Sequence, residues 1–184
     1  MTLEEIIGQE SVEIGPLPVT GGVIHRLTDA QITDVAAFIR AASTKWDVPL
    51  ATLAGWLCVE SRFDPSAYNP NNQHALPDST DFDEFLRADI GIAQIDGRYL
   101  FSWPGMTGLT WQAQKALAFD PSWAVDAFAA HAASLLSKCK PLDAFESYNV
   151  GATGLQAMQK AGEPETYALR VQSFIDKFAA AGIH

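Results

Sequence analysis

Residues 49–67 read PLATLAGWLCVESRFDPSA. Leu50, Leu53, Trp56 and Leu57 recur at helical spacing, so the stretch predicts an α-helix with an apolar face. Asp47 is available to cap it, and Pro49 suits a first turn, where a missing N–H costs nothing. Glu60 closes this helix, three residues after Leu57 and four after Trp56, on the face that carries the core residues. Burial beside apolar neighbours disfavours a charged carboxylate, and the partial negative charge of a helix C-terminus acts in the same direction. A carboxylic acid that keeps its proton near neutral pH is what glycosidic cleavage requires, because the bridging oxygen leaves poorly until it is protonated. The alternative is a Glu at a frayed end that reaches water or pairs with Arg62, and position alone does not choose between them.

Outward from this helix the chain reads as helical on both sides. Thr28 and Gln31 form a capping box before Ile32, Val35, Ile39, Ala42 and Trp46, which predicts a helix over 28–45. Residues 1–27, with Gly8, Gly15, Pro16, Pro18 and Gly21-Gly22, read as an irregular leading segment or linker, leaving 28–184 as the main domain. Pro65, Asn69-Pro70-Asn71-Asn72 and Pro77-Asp78-Ser79 make residues 64–87 a long loop with at most a helical turn at 82–87. The only extended segment expected is a hairpin at most, within 89–100. Asp120-Pro121 starts a long helix ending near Lys138, and further helices are expected near 141–148, 152–161 and 164–180. The fold class is mainly α with at most a small β-hairpin.

Composition narrows the function classes. Hydrophobic residues make up 48% of the 184 and charged residues 18%, enough for a compact core. A formal charge of −10 supplies no cationic surface to neutralise phosphates, so nucleic acid is not an expected partner. The N-terminus has no basic stretch followed by an apolar one, and no stretch approaches the length of a membrane span, so neither secretion by its own signal nor membrane insertion is expected. Cys58 and Cys139 read as buried free thiols or one bridge. His25, His74, His131 and His184 lack ligand spacing, and the acids at Asp78, Asp81, Asp83 and Glu84 read as a solvated loop, so no metal and no cofactor are expected.

Three blocks carry the chemistry: Glu60-Ser61-Arg62-Phe63-Asp64-Pro65-Ser66-Ala67, Gly91-Ile92-Ala93-Gln94-Ile95-Asp96 and Ser147-Tyr148-Asn149-Val150-Gly151, followed by Tyr167 and Arg170-Val171. In this order they resemble the soluble lytic transglycosylase and goose-type lysozyme superfamily over about residues 30–180. The resemblance implies a lysozyme-like helical domain that cleaves peptidoglycan glycan strands, with Glu60 as general acid and then base. It implies that Ser61 and Gln94 are cleft residues that bond the sugar or hold Glu60. Tyr148 and Asn149 line the site in this reading, the Tyr hydroxyl within reach of Glu60, and Gly91 and Gly151 allow close approach of the glycan.

A hydrolytic lysozyme needs a second carboxylate, whereas a lytic transglycosylase lets the sugar's own hydroxyl attack. Asp96 matches the position of an acid in goose-type enzymes and Asp89 is a second candidate, with a turn cap or ion pair as the alternative for either. The products stay open here, with the Glu-Ser block leaning toward the transglycosylase. Ile92 and Ala93 depart from the family's Leu-Met, and the segment before Gly91 is long, forming a cleft wall or a protein contact. Tyr99, Trp103 and Trp111 are read either as sugar-stacking residues or as core. The expected partners are peptidoglycan strands and a delivering machine, a phage tail or a secretion apparatus. Chitin cleavage, and a lysozyme-fold module that grips glycan without cleaving it, are the competing functions.

Overall fold

A computed structural model describes residues 1–12, 24–70 and 81–184. Among these residues the fold is mainly helical, as the patterning predicts, with one small antiparallel sheet of three strands where at most a hairpin is expected. Helix α1 spans Leu3–Glu10, α2 Asp29–Trp46 and α3 Leu50–Ser61. Strand β1 (Tyr68–Pro70) precedes the short α4 (Phe82–Phe85), then β2 (Ala88–Ile90), β3 (Ile95–Asp96) and a 3-10 turn at Leu100–Ser102. The chain closes with α5 (Trp111–Ala118), α6 (Pro121–Leu136), α7 (Pro141–Ala161) and α8 (Thr166–Ala180).

Helix α3 is the centre of the core. Its Leu53, Ala54, Trp56, Leu57 and Cys58 are fully buried, and burial extends around the helix rather than along one face. Its closest neighbour is α8, and a side chain at Gly55 would lie 2.8 Å from the backbone nitrogen of Ile175, so the two helices approach on a glycine. Asp47 does not cap α3. It sits at φ 54 and ends α2, while Pro49 takes the cap position of α3 without a side-chain bond.

Residues 3–10 correct the expectation of an irregular start. Thr2 and Glu5 form a capping box, and Leu3, Ile6 and Ile7 pack into the common core. The glycines and prolines that suggested irregularity lie mostly in 13–23, outside the described residues. Glu10, at the end of α1, pairs with Lys177 and, at 2.6 Å, with Arg62, which ties the leading helix to the ends of α3 and α8. Arg62 is therefore turned away from Glu60 and toward α1.

Other boundaries move for local reasons. Strand β1 was not expected, because Asn69 and Pro70 are poor strand formers; it forms by pairing with β2, Tyr68 opposite Ile90 and Asn69 opposite Asp89. Helix α5 was also missed, although Thr110 caps it through the Ala113 N–H. The helices expected near 141–148 and 152–161 form one element broken at Gly151, which has φ 74 and ψ 162. Helix α8 begins after Pro164, at Thr166. Cys58 and Cys139 are both free thiols, and no described helix is long and apolar enough to cross a membrane. Of the acidic loop, Asp78 lies outside the described residues, as does His74.

Candidate active site

The sheet divides polar from apolar by strand alternation. Tyr68, Ile90 and Ile95 lie opposite one another and are buried against the core. Their neighbours Asn69, Asp89 and Asp96 form a row on the other face, and all three line a cleft of about 910 Å³. Glu60 enters this cleft from the end of α3, and α6 and α7 supply the facing wall through His131, Ser134, Tyr148, Asn149 and Gly151.

Glu60 is half-buried, and its Oε1 accepts a hydrogen bond from the Tyr167 hydroxyl, which in turn accepts one from Trp56 Nε1 at 2.9 Å. Burial raises the Glu60 carboxyl pKa to about 8; the Tyr167 bond and Arg170 oppose that rise, and the negative charge of Asp89 adds to it. The group therefore holds its proton at neutral pH and can give it to a neighbour in the cleft.

In the sequence Tyr167 stands as the element that follows the third block and as part of the α8 stripe, while the hydroxyl beside Glu60 is expected from Tyr148. The Tyr148 hydroxyl instead donates to the Ala93 carbonyl at 2.6 Å. Tyr167 is placed by Glu146, a buried carboxylate of α7 that accepts the Ala168 N–H at 2.9 Å at the start of α8 and the Asn149 side-chain amide at 3.1 Å. Glu146 was not singled out in the sequence, since a Glu inside an amphipathic helix carries no signal of burial. Replacing Tyr167 by Phe is expected to lower kcat about tenfold by releasing Glu60 and leaving Trp56 Nε1 without its acceptor. The alkaline limb of the pH–rate profile should also move upward, since the lost bond favours the charged form; an unchanged profile would count against this role.

The second block folds into one turn. Gln94 Nε2 donates to the Gly91 carbonyl at 2.9 Å, Ser61 Oγ to the Ile92 carbonyl at 2.7 Å, and Tyr148 to that of Ala93. Successive carbonyls of a buried turn, which no ladder can satisfy, are thus taken up by three motif side chains. Ser61 is fully buried and does not line the cleft, and its hydroxyl donates to Ile92 rather than to the sugar or Glu60 as expected. Gly91 also lies outside the cleft. A Cβ there would come 2.1 Å from the Ala118 carbonyl oxygen, so its smallness serves the packing of α5 rather than a glycan. Gln94, Tyr148, Asn149 and Gly151 do line the cleft, and a Cβ at Gly151 would meet nothing within 4 Å.

Asp96 lines the cleft but is held by Arg98, with Nη2 to Oδ2 at 2.5 Å and Nε at 3.0 Å from each carboxylate oxygen. Both of its carboxylate oxygens are thus occupied by one guanidinium. Asp89 is its cross-strand partner and acts electrostatically on Glu60. Asn69 Oδ1 is buried without a hydrogen-bond partner among the described residues. Of the aromatics, Tyr99 and Trp103 reach the cleft, whereas Trp111 packs on Phe82 and Phe85.

Residues 37–169, well over half of the chain, match the family model of the transglycosylase SLT domain. The chain belongs to that family. SLT domains are lytic transglycosylases, enzymes that act on peptidoglycan, and the mainly helical fold with a small sheet agrees with this membership. The matched region runs from within α2 to the start of α8, so it takes in Glu60, the turn at 91–94, Tyr148 and Tyr167. No curated protein and no solved structure matches the chain.

Proposed function

We propose that this SLT domain cleaves the bond between N-acetylmuramic acid and N-acetylglucosamine with Glu60 as the single acid and base, forming an anhydro product without water. The observation that carries this reading is the placement of Glu60 in the cleft, bonded to the Tyr167 hydroxyl and facing the row of Asn69, Asp89 and Asp96, with burial raising its pKa. Glu60 gives its proton to the bridging oxygen, and the C–O bond on the muramic acid side breaks through an oxocarbenium-like state. The Glu60 carboxylate then takes the proton of that sugar's own 6-hydroxyl as its oxygen closes on the anomeric carbon, which returns the acid form. Gln94 and Asn149 are among the polar residues of the cleft that meet the sugar.

The engagement of Asp96 by Arg98 supports one acid rather than two. Asp96→Asn is accordingly expected to retain activity within about tenfold, against the far larger loss for the acid itself. Mass spectrometry of digested wall tests the products. Anhydro-muramoyl ends are expected, while reducing ends would sink the single-acid mechanism and return Asp96 or Asp89 to the role of water activator. The domain works on the wall itself, brought there by a larger assembly of the phage-tail or secretion type. The charge of −10 supports delivery, since it offers no attraction to an anionic envelope.

A further inference from the structure

The turn that follows β3 carries aromatic side chains that the core does not account for. Tyr99 is 59% exposed and Phe101 62% exposed, unusual for rings of this size. Tyr99 and Trp103 line the same cleft as Glu60, whereas Phe101, on the same turn, is not among the cleft-lining residues.

Trp103 is packed among other rings, and Tyr99 stands on a turn whose backbone is hydrogen-bonded. The Trp103 ring lies 5.2 Å from His131 and 6.5 Å from Trp123, whose Nε1 donates to the Pro104 carbonyl at 3.2 Å. The Tyr99 backbone N–H donates to the Asp96 backbone carbonyl at 3.0 Å, its own carbonyl accepts the Ser102 hydroxyl at 2.7 Å, and the Arg98 guanidinium sits 5.5 Å from its ring. From Tyr148, which feels the charge of Glu60, the aromatic wall steps 5.8 Å to His131 and a further 5.2 Å to Trp103, so Trp103 stands two ring contacts from Tyr148. The cleft thus has aromatic groups along one side and the polar row of the sheet on another. A pyranose ring presents C–H groups on its faces and hydroxyls at its edges, which suits that division, and aromatic side chains, with two torsions each, lose little entropy on contact.

We propose that Tyr99 and Trp103 form a stacking platform for a sugar of the glycan strand beyond the two that flank the scissile bond. This rests on the reading of the cleft as the glycan site with Glu60 at the cleavage point. The platform makes the enzyme sensitive to strand length, because only a strand long enough to extend past the acid reaches it.

The test measures binding of peptide-free oligomers of alternating N-acetylglucosamine and N-acetylmuramic acid, short and long, to the Glu60→Gln protein. Adding Tyr99→Ala or Trp103→Ala is expected to weaken the long oligomers roughly tenfold and leave the disaccharide unchanged. In the active enzyme the same changes should raise KM and spare kcat. Phe101→Ala serves as the control from outside the cleft. Tyr99 is exposed enough that its replacement leaves the fold intact, so long-oligomer binding by Tyr99→Ala equal to that of Phe101→Ala overturns the platform. The two readings fail separately: an active Glu60→Gln protein would remove the acid assignment, while a length-dependent loss in Tyr99→Ala would still establish the platform.

Discussion

Glu60→Gln is expected to lower the turnover of purified peptidoglycan by about a thousandfold, the scale on which a positioned general acid acts. The substitution keeps the shape of the side chain and an oxygen to accept the Tyr167 bond, but it has no proton that can be given away. Turbidity clearing of permeabilised cells, followed beside a thermal melt, separates loss of chemistry from loss of fold. Clearing at the unaltered rate would remove Glu60 from the mechanism and revive the glycan-gripping alternative.

The same carboxyl links activity to pH and to stability. With a folded pKa of about 8 against an ordinary 4.5, the acid form is present at neutral pH, and activity should fall as pH rises through about 8. The folded protein holds this proton in a range where the unfolded chain has released it, so stability declines as pH climbs from the ordinary carboxyl range toward 8. Glu60→Gln escapes that decline. Its Tm should match the native protein near the ordinary carboxyl pKa and exceed it increasingly toward pH 8, and a gap that narrowed instead would contradict the burial of this group.

Gly91→Ala is expected to cost about 3 kcal/mol or more, lowering Tm by roughly 10 °C in a protein of this size. Two effects coincide there. Gly91 has φ 72, which L side chains rarely adopt, and its added methyl would stand 2.1 Å from a backbone oxygen that cannot rotate away. The site should suffer as well, since the turn at 91–94 joins β2 to β3 and so seats Asp89 and Asp96. A variant that melted within a degree or two of the native protein would refute this account of the turn.

The helices were legible because their signals are local. The Thr28 capping box, Pro121 in a first turn and the spacing of Trp56, Leu57 and Glu60 act within a few residues. The same locality explains the misses. Strand β1 exists only through β2, and α1 was hidden by the glycines and prolines that follow it, although its own capping box and apolar face were there to be read. The motif blocks come together around one cleft, yet three of their residues make a contact that the blocks do not announce. Ser61, Gln94 and Tyr148 meet on the successive carbonyls of one turn, a convergence that depends on α3, the sheet and α7 being brought together.

The order of residues alone determined a mainly helical domain, an acidic protein unsuited to phosphate binding, and Glu60 at a helix end with the family's blocks following it. Those properties follow from composition and from interactions between near neighbours along the chain. Tertiary structure decided which hydroxyl holds Glu60, that Arg98 engages Asp96, and that Tyr99 and Trp103 face the cleft while Trp111 does not. Proton affinity and side-chain partnership depend on what lies within a few ångströms in space, and in this molecule those neighbours come from positions as far apart as 60 and 167.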